Sequence, residues 1–405
     1  MNKKEIWLYN LKIHYIWTFF SSVLFLAPII TLYYKYFGLN TSDILILSSI
    51  STLLSSLLEI PTSTLWDTIW RVKVMKISVL SSLIAFIIIF LFPNIFSFYI
   101  AIFFSALWNA LWSWTGHAKL QEDLEISGKE KEFWKVIWRL IALQNIWKLV
   151  TPVFIYFILK YYENWYNILA FLDVIFFIIA VIFVFKFIEI WKIEKYNNKK
   201  DFFNSQIKTF KNGFNFLFKS KNILFLLILM ILWNDLGYLS IIILPNLVEN
   251  WVWDFLSSYV VWFSILAWIL WNLIPQRLWD KFSWKKTFVF LLLLNSILHF
   301  SAYYYIDNNV ILTIIFVLIS FVIWIYWPVW NHLLMTFSKI LEKATVRSIF
   351  LMIIWVFEAI ILFTLSFFNL EKGLFFLWFI IFLWFIIGLF LFLKERNIKI
   401  INNIK

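Results

Sequence analysis

The stretch Ile60-Pro61-Thr62-Ser63-Thr64-Leu65-Trp66-Asp67-Thr68-Ile69-Trp70-Arg71-Val72-Lys73 decides how the chain is read. It is a short charged turn between two long apolar runs. It returns later as Ile274-Pro275-Gln276-Arg277-Leu278-Trp279-Asp280-Lys281-Phe282-Ser283-Trp284-Lys285-Lys286. Asp67 and Asp280 stand 213 positions apart in a chain of 405, about half its length. A charged turn repeated at half-length points to a chain built from two related halves.

Outward from these turns, apolar stretches of about 17–25 residues recur, each long enough to cross a bilayer as a helix. Twelve spans are expected: 11–34, 44–60, 77–92, 95–111, 136–159, 166–185, 223–247, 255–274, 287–305, 310–334, 348–368 and 374–393. Residues are 63% hydrophobic and only 14% charged, which excludes a soluble globular core. The runs are continuous rather than alternating, so helices and not barrel strands are implied. The fold class expected is an all-α polytopic membrane protein with about twelve helices in two six-helix bundles. The expected organisation is an N-terminal bundle 1–187, a central cytoplasmic loop 188–221, a C-terminal bundle 222–394 and a cytoplasmic tail 395–405. Within the loop, Phe203, Ile207, Phe210, Phe214 and Phe218 recur every three or four residues, the pattern of a surface amphipathic helix.

The net charge of +12 follows the same alternation. Lys3, Lys4, Arg71, Lys73, Lys129, Lys135, Lys281, Lys286, Lys343 and Lys394 fall on one side of the spans. The other side holds little beyond Lys35, Lys160 and Lys372. The positive-inside rule then puts both termini in the cytoplasm and the chain in the plasma (inner) membrane. It also accounts for the charge without nucleic acid as a partner. There is no Cys, hence no disulfide or thiolate site. Neither a metal motif nor a nucleotide-binding loop occurs, so no cofactor and no ATP-driven step are expected.

The composition carries one anomaly: 26 Trp against 7 Gly. Pooled, the two make about 8% of the chain, an ordinary level for Gly alone. Trp66 and Trp70 sit in a tight turn, where small residues suit special dihedrals. The pattern fits a code in which UGA specifies glycine, so that many of these Trp are Gly in the cell. An interfacial aromatic belt is the bland alternative, but a belt does not explain the missing Gly.

With that substitution in view, the first turn resembles the loop signature of the major facilitator superfamily, Gly-x-Leu-(small)-Asp-Arg-x-Gly-Arg-Lys. Leu65, Asp67 and Arg71 match it, Trp66 takes the small position and Trp70 the second Gly. Ser63, Thr68 and Val72 depart from it, and Lys73 follows one residue late. In the second copy Leu278, Asp280 and Lys281 fit, while Trp284 is one place off. The segment Trp108–Asp123 looks like the family's small-residue fourth helix. Trp138–Pro152 looks like its fifth, and with Gly at 138 and 147 it approaches the antiporter motif. The resemblance implies a secondary transporter working by alternating access, with Asp67, Arg71, Lys73, Asp280 and Lys281 as conformational gating residues. It further implies proton coupling, a small-molecule substrate, a monomer in the bilayer, and efflux of a drug or metabolite slightly ahead of uptake of a sugar or nucleoside. A polytopic membrane enzyme or a transport-inactive scaffold is the alternative of another class; no His and acid cluster at one membrane face supports an enzyme.

Polar residues inside spans are costly in lipid and mark the path candidates. Asn10, His14, Trp17 and Ser21 share one face of the first span. Gln144, Asn145 and Lys148 cluster in the fifth. Glu59 ends the second span, Asp173 lies in the sixth and His299 in the ninth. Asn234 and Asp235 lie in the seventh and Glu358 in the eleventh, and Asp235 and Glu358 are the leading proton or cation sites.

Overall fold

The computed structural model describes residues 3–65, 71–129, 132–189, 211, 214–215, 227, 284–322 and 343–404. The chain divides into two compact units, Met1–Gln206 and Ile207–Lys405. Among the described residues every long element is helical.

In the first unit the helices are α1 (Lys3–Ser21), α2 (Ile30–Tyr36), α3 (Thr41–Leu65), α4 (Arg71–Leu91), α5 (Ile95–Ile126), α6 (Phe133–Tyr161) and α7 (Trp165–Phe185). Helices α4 and α7 run nearly as the apolar runs predict. Helix α5 continues well past the expected end at 111, carrying its last turns and Asp123 beyond the apolar stretch.

The first span departs most from expectation. A single helix over 11–34 is expected; α1 instead stops at Ser21, and a 3-10 turn at Ala27–Ile29 precedes the short α2. Pro28 sits in that turn and has no N–H to donate, which favours a break over a continuous ladder. The N–H groups freed just ahead of it are taken up by another helix, as described below.

Helix ends on the side opposite the charged turns are closed by asparagine. Asn40 Oδ1 accepts from the Asp43 N–H (2.9 Å) while Asp43 Oδ2 accepts from the Asn40 N–H (3.0 Å), a reciprocal capping box ahead of α3. Asn94 Oδ1 accepts from the Ser97 N–H (3.0 Å) and so caps α5. The far end of α5 closes in a Schellman turn. Gly128 adopts φ +70, its N–H donates to the Glu125 carbonyl, and the Lys129 N–H donates to that of Leu124.

Packing relies on small residues. Helix α4 lies on α5 and α7, α3 on α5, and α1 on α5, α6 and α7. The contact faces carry buried Ser78, Ser81, Ser82 and Ala85 on α4 and Ala101, Ala106 and Ala110 on α5. Such residues let helix backbones approach closely where lipid supplies no hydrophobic drive. Ser78 Oγ donates to the Trp108 carbonyl (3.2 Å), tying α4 to α5. The outward faces expose Ile77, Leu80 and Ile84 on α4 and Phe171, Ile178 and Ile182 on α7, an apolar jacket suited to acyl chains.

In the second unit the described helices are α8 (Trp284–Tyr304), α9 (Asn309–Val322), α10 (Lys343–Leu365) and α11 (Leu370–Ile404). The apolar runs at 223–247, apart from Leu227, and 255–274 lie outside the described residues, as do 323–334 and most of the central segment 188–221. Helix α11 runs on to Ile404, through the stretch expected as a tail. It packs on α8, where Phe300 meets Trp378 (5.2 Å between ring centroids) and Tyr303 meets Phe375 (5.4 Å). Asn308 and Asn369 cap α9 and α11 through the Ile311 and Lys372 N–H groups, repeating the asparagine pattern of the first unit. Six described helices are long and apolar enough to cross a bilayer and three shorter ones are strongly apolar. The protein is a multi-pass membrane protein.

Candidate functional site

A polar assembly of the first unit gathers at the end where α1 begins. Asn10 on α1 is fully buried and acts as a peptide mimic: its Nδ2 donates to the Ile188 carbonyl (3.0 Å) and its Oδ1 accepts from the Ile188 N–H (3.1 Å). The two bonds lock the chain leaving α7 against α1. Asn10 Nδ2 also approaches Asp123 Oδ1 at 3.4 Å. Asp123 pairs with Lys119 one turn earlier on α5, both at most 1% exposed. One residue beyond Ile188, Glu189 Oε2 accepts from the Val72 N–H (2.8 Å) at the first turn of α4. A carboxylate at a helix N-terminus satisfies an orphan donor and complements the helix dipole. Helices α1, α4, α5 and α7 thus meet in one network. Burial pushes the Asp123 carboxyl above its ordinary value and nearby Glu189 adds to this, while Lys119 and Asn10 oppose it.

Sequence reasoning placed Asn10 among path residues and missed Lys119, Asp123 and Glu189 as partners. The Lys-x-x-x-Asp spacing on α5 was the available signal. Arg71 and Lys73 open α4 beside this network, with Lys73 exposed. Asp67, Asp280 and Lys281 lie outside the described residues.

Deeper in the bundle the break in the first span is met by Asp173 of α7. Its two carboxylate oxygens accept from the Phe25 N–H (2.6 Å) and the Leu26 N–H (3.0 Å), and the side chain is 1% exposed. Asp173 therefore serves as a capping group supplied from a different helix. His14 and Trp17 are buried on the same face of α1 as Asn10, with His14 edge-on to Phe187 (4.7 Å) and Trp17 against Trp112 (4.9 Å). Ser21 of that face is half-buried. Glu59 is buried on α3.

Helix α6 carries the remaining candidates of this unit. Its outer face exposes Lys135, Arg139, Ala142, Ile146 and Phe157. Asn145 is buried. Gln144 and Lys148 are exposed. In the second unit Glu358 is buried on α10, and His299 is buried on α8 with Nδ1 donating to the Asn295 carbonyl (2.9 Å). Asn234 and Asp235 lie outside the described residues. Among the described residues no cluster of His, Cys, Asp and Glu has the makings of a metal site.

No family model and no curated protein matches the sequence. Solved structures do. The chain is similar to the nucleoside transporter NupG at 13% identity and a TM-score of 0.74, covering 97% of this chain and 99% of that one. It is similar to the peptide transporter POT in complex with sulfate at 12% identity and a TM-score of 0.76, covering 98% and 99%. It is also similar to a D-xylose-proton symporter at 13% identity and a TM-score of 0.69, covering 95% and 96%. At such identities the likeness is one of fold, and that fold is the major facilitator fold.

Proposed function

We propose that the protein is a secondary active transporter that moves a small molecule across the membrane by alternating access, driven by a proton gradient. The observation that carries this reading is the full-length match to transporter folds named for a nucleoside, a peptide and D-xylose. Carboxylates buried in spans support proton coupling, because a membrane-embedded acid titrates as its surroundings alternate. Glu358, buried on α10, is the leading described candidate, and Asp235 remains a candidate from sequence. Basic loops favour both termini in the cytoplasm of a cell whose plasma membrane holds the chain as a monomer. The sequence reading leans to efflux of a drug or metabolite; the named neighbours favour nutrient uptake as the second reading. Purified protein in proteoliposomes is expected to carry substrate only under an imposed pH gradient, with the sign of that gradient giving the direction, and Glu358→Gln is expected to abolish the response. Turnover of a lipid or peptide without flux would overturn it.

We further infer that many Trp positions are occupied by Gly in the cell. Trp7, Trp108 and Trp147 each bury an indole N–H that meets no acceptor, whereas buried indoles ordinarily find one. Trp112 presses on Gly116, where an added Cβ would lie 3.1 Å from its ring. Peptide mass spectrometry of the native protein is expected to read Gly at these sites, encoded by UGA. UGG codons there would sink the idea.

A further inference from the structure

Gln144 and Lys148 are exposed in the one part of α6 where exposure to lipid does not explain it. Both lie two residues from Ile146, so each is about 160° around the helix from the centre of the outer face. That inner stripe is otherwise closed. Ile137 and Leu140 are buried on it below, in a cluster with Leu120 and Leu124 of α5. Thr151 and Ile155 are buried on it above. From Ile137 to Ile155 the stripe rises about 27 Å, and the two exposed polar residues occupy its middle. The inner face of α6 is therefore open at mid-depth, between two buried layers.

Lys148 stands 15 residues after the first and 13 before the last residue of α6. A lysine this far from either end has no interface within reach of its stem, unlike Lys135 or Lys160 near the ends. Lys119–Asp123 and Lys129–Glu132 are ion pairs of the same unit, and neither involves it. Among the described residues no carboxylate pairs with Lys148, and an exposed intramembrane cation beside a carboxamide is arranged to receive an anion from outside the chain.

We infer that Lys148 and Gln144 recognise an acidic group on the transported molecule, a carboxylate or a phosphate, with Lys148 supplying charge and Gln144 a hydrogen bond. This rests on the transporter reading above and narrows its substrate to organic anions.

The test uses matched pairs of acid and neutral compound on the full chain in nanodiscs: uridine monophosphate and uridine, xylonate and xylose, a free dipeptide and its amide. The phosphate and carboxylate arms separate the two acids. At least one acid is expected to raise the unfolding temperature and to slow labelling of Lys148 by a water-soluble amine reagent, read by peptide mass spectrometry, while its neutral partner does neither. Lys148→Gln is expected to weaken binding at least tenfold, and Lys148→Arg to keep most of it. The labelling arm needs no variant, so a misfolded Lys148→Gln leaves the test intact. If no acid binds, or if acids bind Lys148→Gln as well as wild type, the anion site is wrong. Flux of a neutral compound that is unchanged in Lys148→Gln also overturns it and leaves the transporter standing. Acids that protect Lys148 while nothing crosses a proteoliposome membrane support the site and overturn transport.

Discussion

Asp173→Leu is expected to be among the most damaging single substitutions in the first unit. The change removes both acceptors from the Phe25 and Leu26 N–H groups, which are buried where neither water nor lipid replaces them. An orphaned buried donor costs about 1–3 kcal/mol, so the pair costs roughly twice that. Pro28 opposes repair of the break as continuous helix, because its ring clashes with the Leu24 carbonyl and its missing N–H leaves that carbonyl without a donor. Asp173→Asn keeps one oxygen acceptor and turns an amide donor toward the second N–H, so it is expected to fall between Leu and wild type. Unfolding temperature in detergent, read in the order wild type, Asn, Leu, checks this. Equal stability for all three would mean that the break is held by packing alone.

Lys119→Met is expected to destabilise by about 3–5 kcal/mol, because it leaves the Asp123 carboxylate buried without its cation. The double variant Lys119→Met, Asp123→Leu is expected to recover most of the loss, since a well-packed apolar pair of similar volume often matches a buried ion pair. Asn10 keeps both bonds to Ile188 in that variant. The same site gives the protein a pH dependence of definite sign. The Asp123 carboxyl is raised by burial, so the folded state holds its proton more tightly than the unfolded chain does. Its contribution to stability is therefore full below the ordinary carboxylate value of about 3.9 and is lost as pH rises through the raised folded value. Lys119 and Asn10 limit that rise, and Glu189 increases it. Unfolding temperature against pH is expected to fall through this window in wild type, to fall further in Lys119→Met, and to flatten relative to both in Asp123→Asn. A wild-type profile that coincides with that of Asp123→Asn would show that Asp123 does not titrate differently on folding.

Element type and approximate bounds were legible because lipid leaves the chain few choices. An apolar run of spanning length has to satisfy its own backbone, so the helices at 71–91 and 165–185 follow from hydropathy alone. The halving of the chain was legible from the repeated turn at Asp67 and Asp280. The break in the first span was harder to see. Pro28 marked it, yet proline is tolerated in membrane helices when a neighbour takes up the freed donors. That neighbour is 148 positions away in sequence, on α7.

Asp173 shows the division most plainly. As a letter in an apolar run it is an intramembrane acid and a path candidate; in the folded bundle it caps another helix. Lys119 and Asp123 were ordinary charges past the end of a span until α5 proved long enough to bring them under Asn10. Lys148 stayed a polar residue among several until the burial of Ile137, Leu140, Thr151 and Ile155 put it in the middle of an inward stripe. The sequence by itself determined the class and the helices of most described spans, because each depends on composition and local period within one segment. Only the tertiary structure decided which polar residues face each other and which stay exposed, because that depends on pairings between helices far apart in the chain.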